Sequence, residues 1–177
     1  MSNDGIHFTR AITCPPADSF AEGITTADLG TPDLARVRQQ HAAYTQALTR
    51  LGVTVTSLPT DPAHPDSTFV EDTAVVTRHG AIVTNPGAPS RRGEVPAMET
   101  ALQELFGTVA RITAPGTLDG GDICQAGKHF FIGLSERTNA AGAAQLATWL
   151  ERQGYVASII DIRGDNTLLH LKSGLAY

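Results

Sequence analysis

Cysteine, lysine and aromatic side chains are scarce in this sequence, and each shortage narrows what the chain can be. Only two cysteines, Cys14 and Cys124, occur in 177 residues. Neither sits in a CxxC pair, and no GxGxxG or P-loop signature appears, so no metal site and no bound cofactor are expected. Lysine is limited to Lys128 and Lys172 against eleven arginines, without any basic run. With a net charge of -5 and a pI near 5.6, nucleic acid finds no electrostatic footprint. No apolar run approaches the roughly 18 residues of a membrane helix. The start, Met1-Ser2-Asn3-Asp4-Gly5, lacks the basic and apolar regions of a secretory signal. A soluble, cytoplasmic protein with a small-molecule partner is the expectation. In a reducing compartment a Cys14–Cys124 disulfide is not expected, and both thiols read most simply as small buried hydrophobes.

What is present reads as a globular α/β chain. Hydrophobic residues make up 41% and charged residues 18%, enough apolar surface for a core, and the length suits one domain over 1–177. Thr31-Pro32-Asp33 reads as an N-cap with proline in the first turn, followed by Leu34, Val37, His41, Tyr44 and Leu48 at helical spacing and Gly52 at the stop. Strands are expected over Val53–Leu58, Phe69–Val76 and Ala81–Thr84, the last two joined through His79-Gly80. A second helix carries Val95, Met98, Leu102 and Leu105, ends near Gly107 and leads to a strand at Val109–Ile112. Strands over Asp122–Ala126 and His129–Ile132 flank Gly127-Lys128. A third helix spans Asn139–Gln153 with Leu146, Trp149, Leu150 and Gln153 inward. Strands over Tyr155–Ile160 and Thr167–Leu171 follow, then a turn at Ser173-Gly174.

The turn glycines set a period. Gly80, Gly127 and Gly174 are each 47 residues apart, the spacing of a repeat array. Read as helix, strand, loop and hairpin, the units run approximately 31–84, 92–133 and 139–177. A unit of this kind cannot bury its apolar face alone, so several must stack or close around an axis. Matching phases bring three titratable groups toward that axis: Asp72 eight residues before Gly80, Asp119 eight before Gly127, and His170 four before Gly174. Two carboxylates beside an imidazole suit a cationic ligand and general acid–base chemistry. Plainer readings stand alongside. Asp72 lies in an acidic loop with Asp66 and Glu71, Asp119 precedes a Gly-Gly turn, and His170 sits among leucines as core histidines do. Arg91, Arg92 and Arg137 are either carboxylate forks or surface cations.

Taken together, five motifs resemble dimethylarginine dimethylaminohydrolase. They are Asp66-Ser67-Thr68-Phe69-Val70-Glu71-Asp72, Pro86-Gly87-Ala88-Pro89-Ser90-Arg91-Arg92-Gly93-Glu94, Ala114-Pro115-Gly116-Thr117-Leu118-Asp119-Gly120-Gly121-Asp122, Ser135-Glu136-Arg137-Thr138-Asn139 and Leu169-His170-Leu171-Lys172-Ser173-Gly174. The resemblance covers nearly the whole chain in family order. It implies a five-fold pseudo-symmetric α/β propeller of ββαβ units, of which about three and a half are present. It also implies a reaction: a cysteine thiolate attacks the guanidinium carbon of an Nω-methylated arginine, the methylated amine leaves, and water releases citrulline. By the same resemblance His170 is the acid–base residue and Asp119 its acidic partner. Asp72 holds guanidinium nitrogens, Arg91 and Arg137 bind the substrate carboxylate, and Asp66, Glu71 and the loop around Ile24 fix its other end.

One part of the pattern is not matched. The family's nucleophilic cysteine lies close to the carboxyl terminus, beyond the point where this sequence stops, and neither Cys14 nor Cys124 replaces it by motif. The chain as it stands is therefore expected to be inert. Two other functions stay open: a non-catalytic protein that binds arginine-like ligands, and an arginine deiminase or amidinotransferase relative. An incomplete ring exposes strand edges, so a homodimer is also an expectation.

Overall fold

The computed structural model describes residues 8–26, 28–165 and 167–177. The reading of Met1–Gly5 and the turn residue Asn166 lie outside the described residues. The chain gathers into two compact units, divided between Val70 and Glu71.

In the unit up to Val70, strand β1 (Arg10–Thr13) pairs in parallel with β2 (Thr54–Ser57), Arg10 opposite Thr54 and Thr13 opposite Ser57, with helix α1 (Leu34–Arg50) between them in sequence. The N-cap is Asp33, whose carboxylate accepts the Arg36 N–H at 3.1 Å, two residues after the expected cap Thr31. The expected apolar face of α1 is only half-buried at Leu34, Val37, His41 and Leu48, and Tyr44 is exposed. Strand β1 was not foreseen: Arg10-Ala11-Ile12-Thr13 is too short to show a period by itself.

The unit from Glu71 onward builds two sheets on one plan. Strands β3 (Ala74–Thr77) and β4 (Gly80–Val83) form an antiparallel hairpin, helix α2 (Val95–Phe106) follows, and β5 (Ala110–Arg111) returns parallel to β4. Strands β6 (Ile123–Ala126) and β7 (His129–Leu134) repeat the hairpin, and α3 (Ala140–Glu151) leads to β8 (Val156–Asp161), parallel to β7. The α/β class and the strand-strand-helix-strand unit are thus present twice over, and each sheet groups a hairpin with the strand that follows its helix. Parallel return strands need such a crossover helix.

The helices form where the apolar period predicts. Val95, Met98, Ala101 and Leu102 bury one stripe of α2, and Gly107 at φ 74° ends it. Asn139 caps α3 by accepting the Gly142 N–H at 2.8 Å, and Ala143, Leu146 and Leu150 are fully buried. These three pack with Val75, Ile82, Ile112, Leu118, Ile123, Phe130, Ile132 and Tyr155 into one core. Phe130 meets Tyr155 edge-on, ring centres 5.0 Å apart.

Two expected strands are corrected. Over Phe69–Val76 the first half is instead a 3-10 turn, Val70–Thr73, and pairing starts at Ala74. The turn carries Glu71 so close to Gly120 that a Cβ there would meet the Glu71 carbonyl oxygen at 2.0 Å. Over Thr167–Leu171 no strand forms among the described residues; a 3-10 turn, Leu171–Ser173, takes its place. Its cause is long-range: the Leu171 N–H donates to Asp122 Oδ1, 49 residues away, at 3.1 Å rather than to a ladder partner. Gly174 therefore ends this turn at φ -120°, whereas Gly127, at φ 59°, turns a hairpin.

Leu146→Ala removes a fully buried side chain from this core and is expected to destabilise the unit from Glu71 onward by about 2–5 kcal/mol, read from urea unfolding followed by tryptophan fluorescence at Trp149. A loss below about 1 kcal/mol would mean that α3 does not anchor the core.

Candidate active site

The site is assembled from four places in the second unit: the 3-10 turn before β3, the turn before α2, the Gly-Gly turn before β6, and the turn after β8. The first supplies Asp72, buried at 7% exposure. Its Oδ1 accepts the Gly121 N–H at 2.8 Å and its Oδ2 accepts Arg91 Nη1 at 2.5 Å. The second supplies Arg91, itself buried, whose Nε and Nη2 donate to Glu94 Oε1 and Oε2 at 3.0 and 2.8 Å. The third supplies Asp119 and Asp122, and the fourth His170.

Close approach explains the glycine pair. A Cβ on Gly121 would meet His170 Cγ and Cδ2 at 2.8 Å and Asp72 Oδ1 at 2.9 Å. Any side chain at 121 would displace the imidazole or the carboxylate, so the bare backbone is what lets the two face each other. His170 Nε2 lies 3.8 Å from Asp72 Oδ1, and Nδ1 lies 3.5 Å from Asp122 Oδ1. Nδ1 is buried without a close hydrogen bond among the described residues.

Asp122 was missed in the sequence, where it passes for the polar end of an Asx turn. It has no exposure to solvent, and its Oδ2 accepts the hydroxyls of Ser135 and Thr138, each at 2.6 Å. Burial pushes its carboxyl up, but nearby His170, these two hydroxyls and the Leu171 N–H together bring it below its ordinary value. Asp119, expected as the partner of the histidine, is placed differently. One of its oxygens lies within 4.8 Å of a His170 nitrogen, but its hydrogen bond runs from the Gly87 N–H at 2.9 Å. Burial first, and then the Asp72 carboxylate, push the Asp119 carboxyl up to about 6, against the pull of that N–H. For His170 burial works to lower the imidazolium, yet Asp122, Asp72 and Asp119 outweigh it and the net direction is upward.

The other expected residues divide. Arg137 is half-buried, and its side chain makes no hydrogen bond or ion pair among the described residues; its backbone packs so tightly that a Cβ on Gly87 would meet the Arg137 carbonyl oxygen at 2.3 Å. Arg91 points into the carboxylate cluster rather than outward. Glu71 accepts Lys172 Nζ at 2.7 Å near the surface. Ile24 and Asp66 belong to the first unit, where both Asp66 oxygens accept the Ile24 N–H at 3.2 and 3.1 Å. Chemically, Asp72, Asp119 and His170 are a donor set that a divalent cation would also accept. Arg91 already brings its positive charge to Asp72, which disfavours a metal there. Among the described residues, four buried carboxylates, Asp72, Glu94, Asp119 and Asp122, lie near two basic side chains, Arg91 and His170. The surplus of negative charge suits a cationic ligand that is planar and rich in N–H donors.

The arginine deiminase family model matches residues 59–173. The chain belongs to the arginine deiminase family. It is 47% identical over 171 residues to an NG,NG-dimethylarginine dimethylaminohydrolase of Pseudomonas aeruginosa, covering 96% of this chain and 66% of that protein. It is 38% identical to the enzyme of the same description from Streptomyces coelicolor, covering 94% of this chain and 64% of the relative. The chain thus spans slightly under two thirds of the length of these curated relatives. Among solved structures, a cysteine-to-serine variant of the Pseudomonas aeruginosa enzyme complexed with citrulline superposes with a TM-score of 0.92 at 46% identity, over 97% of this chain and 67% of the other. The amino-terminal domain of a cyanobacterial arginine dihydrolase shares the fold at 18% identity, with a TM-score of 0.74 over 86% of this chain and 57% of that one.

The site titrates in a stated direction. A carboxyl raised to about 6 contributes stability that is full below its ordinary value of 3.8 and is lost as pH rises through 6. Asp119→Asn is therefore expected to flatten the fall in stability between about pH 4 and 6, measured by thermal melts across that range. A parallel pH dependence in variant and parent would place the Asp119 carboxyl at an ordinary value.

Proposed function

We propose that this chain carries the guanidinium-binding and acid–base half of a dimethylarginine dimethylaminohydrolase site. The observation that carries the proposal is the convergence of Asp72 and His170 over Gly121, inside a cluster where carboxylates outnumber cations. A guanidinium laid on the side of Asp72 that faces His170 meets Oδ1 through one N–H, a charge-assisted contact that suits this cation, with the imidazole next to it. In the reaction as proposed, a thiolate adds to the guanidinium carbon and the bond from that carbon to the dimethylamino nitrogen breaks. His170 as imidazolium gives its proton to the departing dimethylamine. The neutral imidazole then takes a proton from water, whose hydroxide displaces the sulfur and leaves citrulline. The raised imidazolium of His170 favours the protonated form that the first step needs.

The other roles follow from placement. Arg137, whose guanidinium is uncommitted among the described residues, is the clamp for the ligand carboxylate, and Arg91 serves Asp72 instead. Glu71 is the group offered to the far end of the ligand, and within the first unit Asp66 fixes the Ile24 N–H. The thiolate is the part that this chain does not furnish. Cys14 Sγ lies against the Pro59 carbonyl in the first unit, at 3.5 Å. Cys124 is buried within β6, and the cluster around His170 includes neither sulfur. By this reading the 177 residues bind the ligand and do not turn it over. The five-fold propeller belongs to the same proposal, with the ββαβ unit seen twice as its support.

Calorimetry with NG,NG-dimethylarginine and arginine, together with an assay for citrulline, tests the proposal. Dimethylarginine is expected to bind more tightly than arginine without citrulline release. Tight binding of arginine with none of dimethylarginine would favour a deiminase site. Asp72→Asn is expected to weaken binding by at least about tenfold, the loss of a charge-assisted pair, whereas His170→Ala keeps most of the affinity. Arg137→Ala is expected to weaken dimethylarginine and leave N,N-dimethylguanidine, which has no carboxylate, unaffected. Equal weakening of both ligands would remove Arg137 from the role of clamp.

A further inference from the structure

His170 Nδ1 is a buried polar atom without a hydrogen bond of ordinary length, although 15% of the side chain as a whole stays exposed. It faces Asp122 Oδ1 at 3.5 Å, while Nε2, on the other side of the ring, faces Asp72 Oδ1 at 3.8 Å. The two carboxylates are not alike. Asp72 is already paired with Arg91, whose Nη1 donates to its Oδ2. Asp122 has no solvent exposure; its other partners are the Ser135 and Thr138 hydroxyls and the Leu171 N–H, with no lysine or arginine against it among the described residues. Leu171 follows His170 in the chain and gives its N–H to the same Oδ1, so one oxygen grips the ring and the backbone next to it. Gly133 in β7 leaves room for that grip: a Cβ there would meet Leu171 Cβ at 2.9 Å and Asp122 Oδ1 at 3.3 Å.

We propose that Asp122 is a positioning residue for His170: it keeps a proton on Nδ1 and so makes Nε2, on the Asp72 side, the nitrogen that gives and takes the proton. The inference rests on His170 being the acid–base group. An ionised carboxylate accepts hydrogen bonds and cannot donate one, so a bare Nδ1 lone pair opposite it would be repelled and left unpaired away from water. Nδ1–H satisfies both atoms, and the hydrogen bond made by one ring nitrogen decides the protonation of the other. The same argument acts more weakly at Nε2, where the contact is longer and Asp72 shares its charge with Arg91. Burial pushes the Asp122 carboxyl up, but His170, the two hydroxyls and the Leu171 N–H bring it below its ordinary value, which keeps it ionised. At 3.5 Å the contact is longer than a closed hydrogen bond, as acid–base pairs without ligand often are. In the reaction as proposed, Nε2–H protonates the departing dimethylamine, the ring is left neutral with its proton on Nδ1, and Nε2 takes the next proton from water. Asp119, the partner expected from the family pattern, turns its carboxylate to the Gly87 N–H instead.

The tautomer of His170 is the test, because a carboxylate needed only to hold the turn would alter stability and leave the tautomer as it was. Proton–nitrogen correlation spectra of the ligand-free chain, labelled with the heavy nitrogen isotope, read it at a pH where the imidazole is neutral, the signals being assigned by their loss in H170Q. The parent is expected to show Nδ1–H with Nε2 bare, and D119N to show the same. D122N keeps the shape and removes the charge, and is expected to bring the Nε2–H form into view, with a fall of at least about tenfold in the ratio of Nδ1–H to Nε2–H. An Nε2–H parent, loss of the Nδ1–H form in D119N, or a parental ratio in folded D122N overturns the proposal. If D122N does not fold, the parent and D119N spectra still decide. Binding of NG,NG-dimethylarginine, read separately by calorimetry, bears on the wider reading of the site. A parent chain that binds none defeats that reading, and the spectra of the ligand-free proteins would then still decide the role of Asp122.

Discussion

One carboxylate without solvent exposure, Asp122, holds the second unit's polar centre in place. It gathers the hydroxyls of Ser135 and Thr138, the Leu171 N–H and the near edge of His170. Through these it ties the entry to β6, the turn before α3 and the turn after β8 to a single point. A buried anion with so many donors is costly to expose and costly to leave unpaired, so each donor is held to its position by the others. The consequence reaches the backbone. Leu171 gives its N–H to Asp122, and the 3-10 turn that starts there has His170 as its N-cap, against Gly121.

The same constraint explains what the sequence told and what it withheld. Helices α2 and α3 were legible because Val95, Met98 and Leu102, and then Leu146 and Leu150, repeat at the helical period with Asn139 and Gly107 as ends. The hairpins were legible from Gly80 and Gly127. Failures fell where a distant group overrides local pattern. Thr167–Leu171 has the β-branched and apolar composition of a strand, but Asp122, 49 residues away, takes the N–H that a ladder would need. Phe69–Val76 reads as a strand, but the turn at Glu71 and Asp72 answers to Gly120. A period found by counting could place Asp72, Asp119 and His170 at one axis. It could not say which carboxylate faces which ring nitrogen.

Arg91 shows the same limit from the side of charge. An arginine in a loop beside proline and serine looks like an outward clamp, and only the positions of Asp72 and Glu94 turn it inward. Asp119 and Asp122, three residues apart in one motif, end in opposite electrostatic states for a similar reason. Asp119 has one N–H and a neighbouring carboxylate, so burial prevails and its carboxyl rises to about 6. Asp122 has enough donors to offset burial, and its carboxyl falls. Donor count, rather than depth, separates the two.

The repeat gives this arrangement its economy and also its asymmetry. Two hairpins of the same plan place an Asp before each first strand, yet Asp72 sits at the end of a 3-10 turn and Asp119 just ahead of one. The pair of glycines in the second repeat is the difference. Gly120 admits the Glu71 carbonyl, and Gly121 admits His170 and Asp72 Oδ1, so the second turn forms the floor on which the first turn's carboxylate rests. Equivalent positions in two repeats therefore sit unequally: Asp72 faces His170, and Asp119 takes the Gly87 N–H. Removing the glycines would leave both carboxylates in the chain and separate them in space, which is why the site depends on two residues that have no side chain at all.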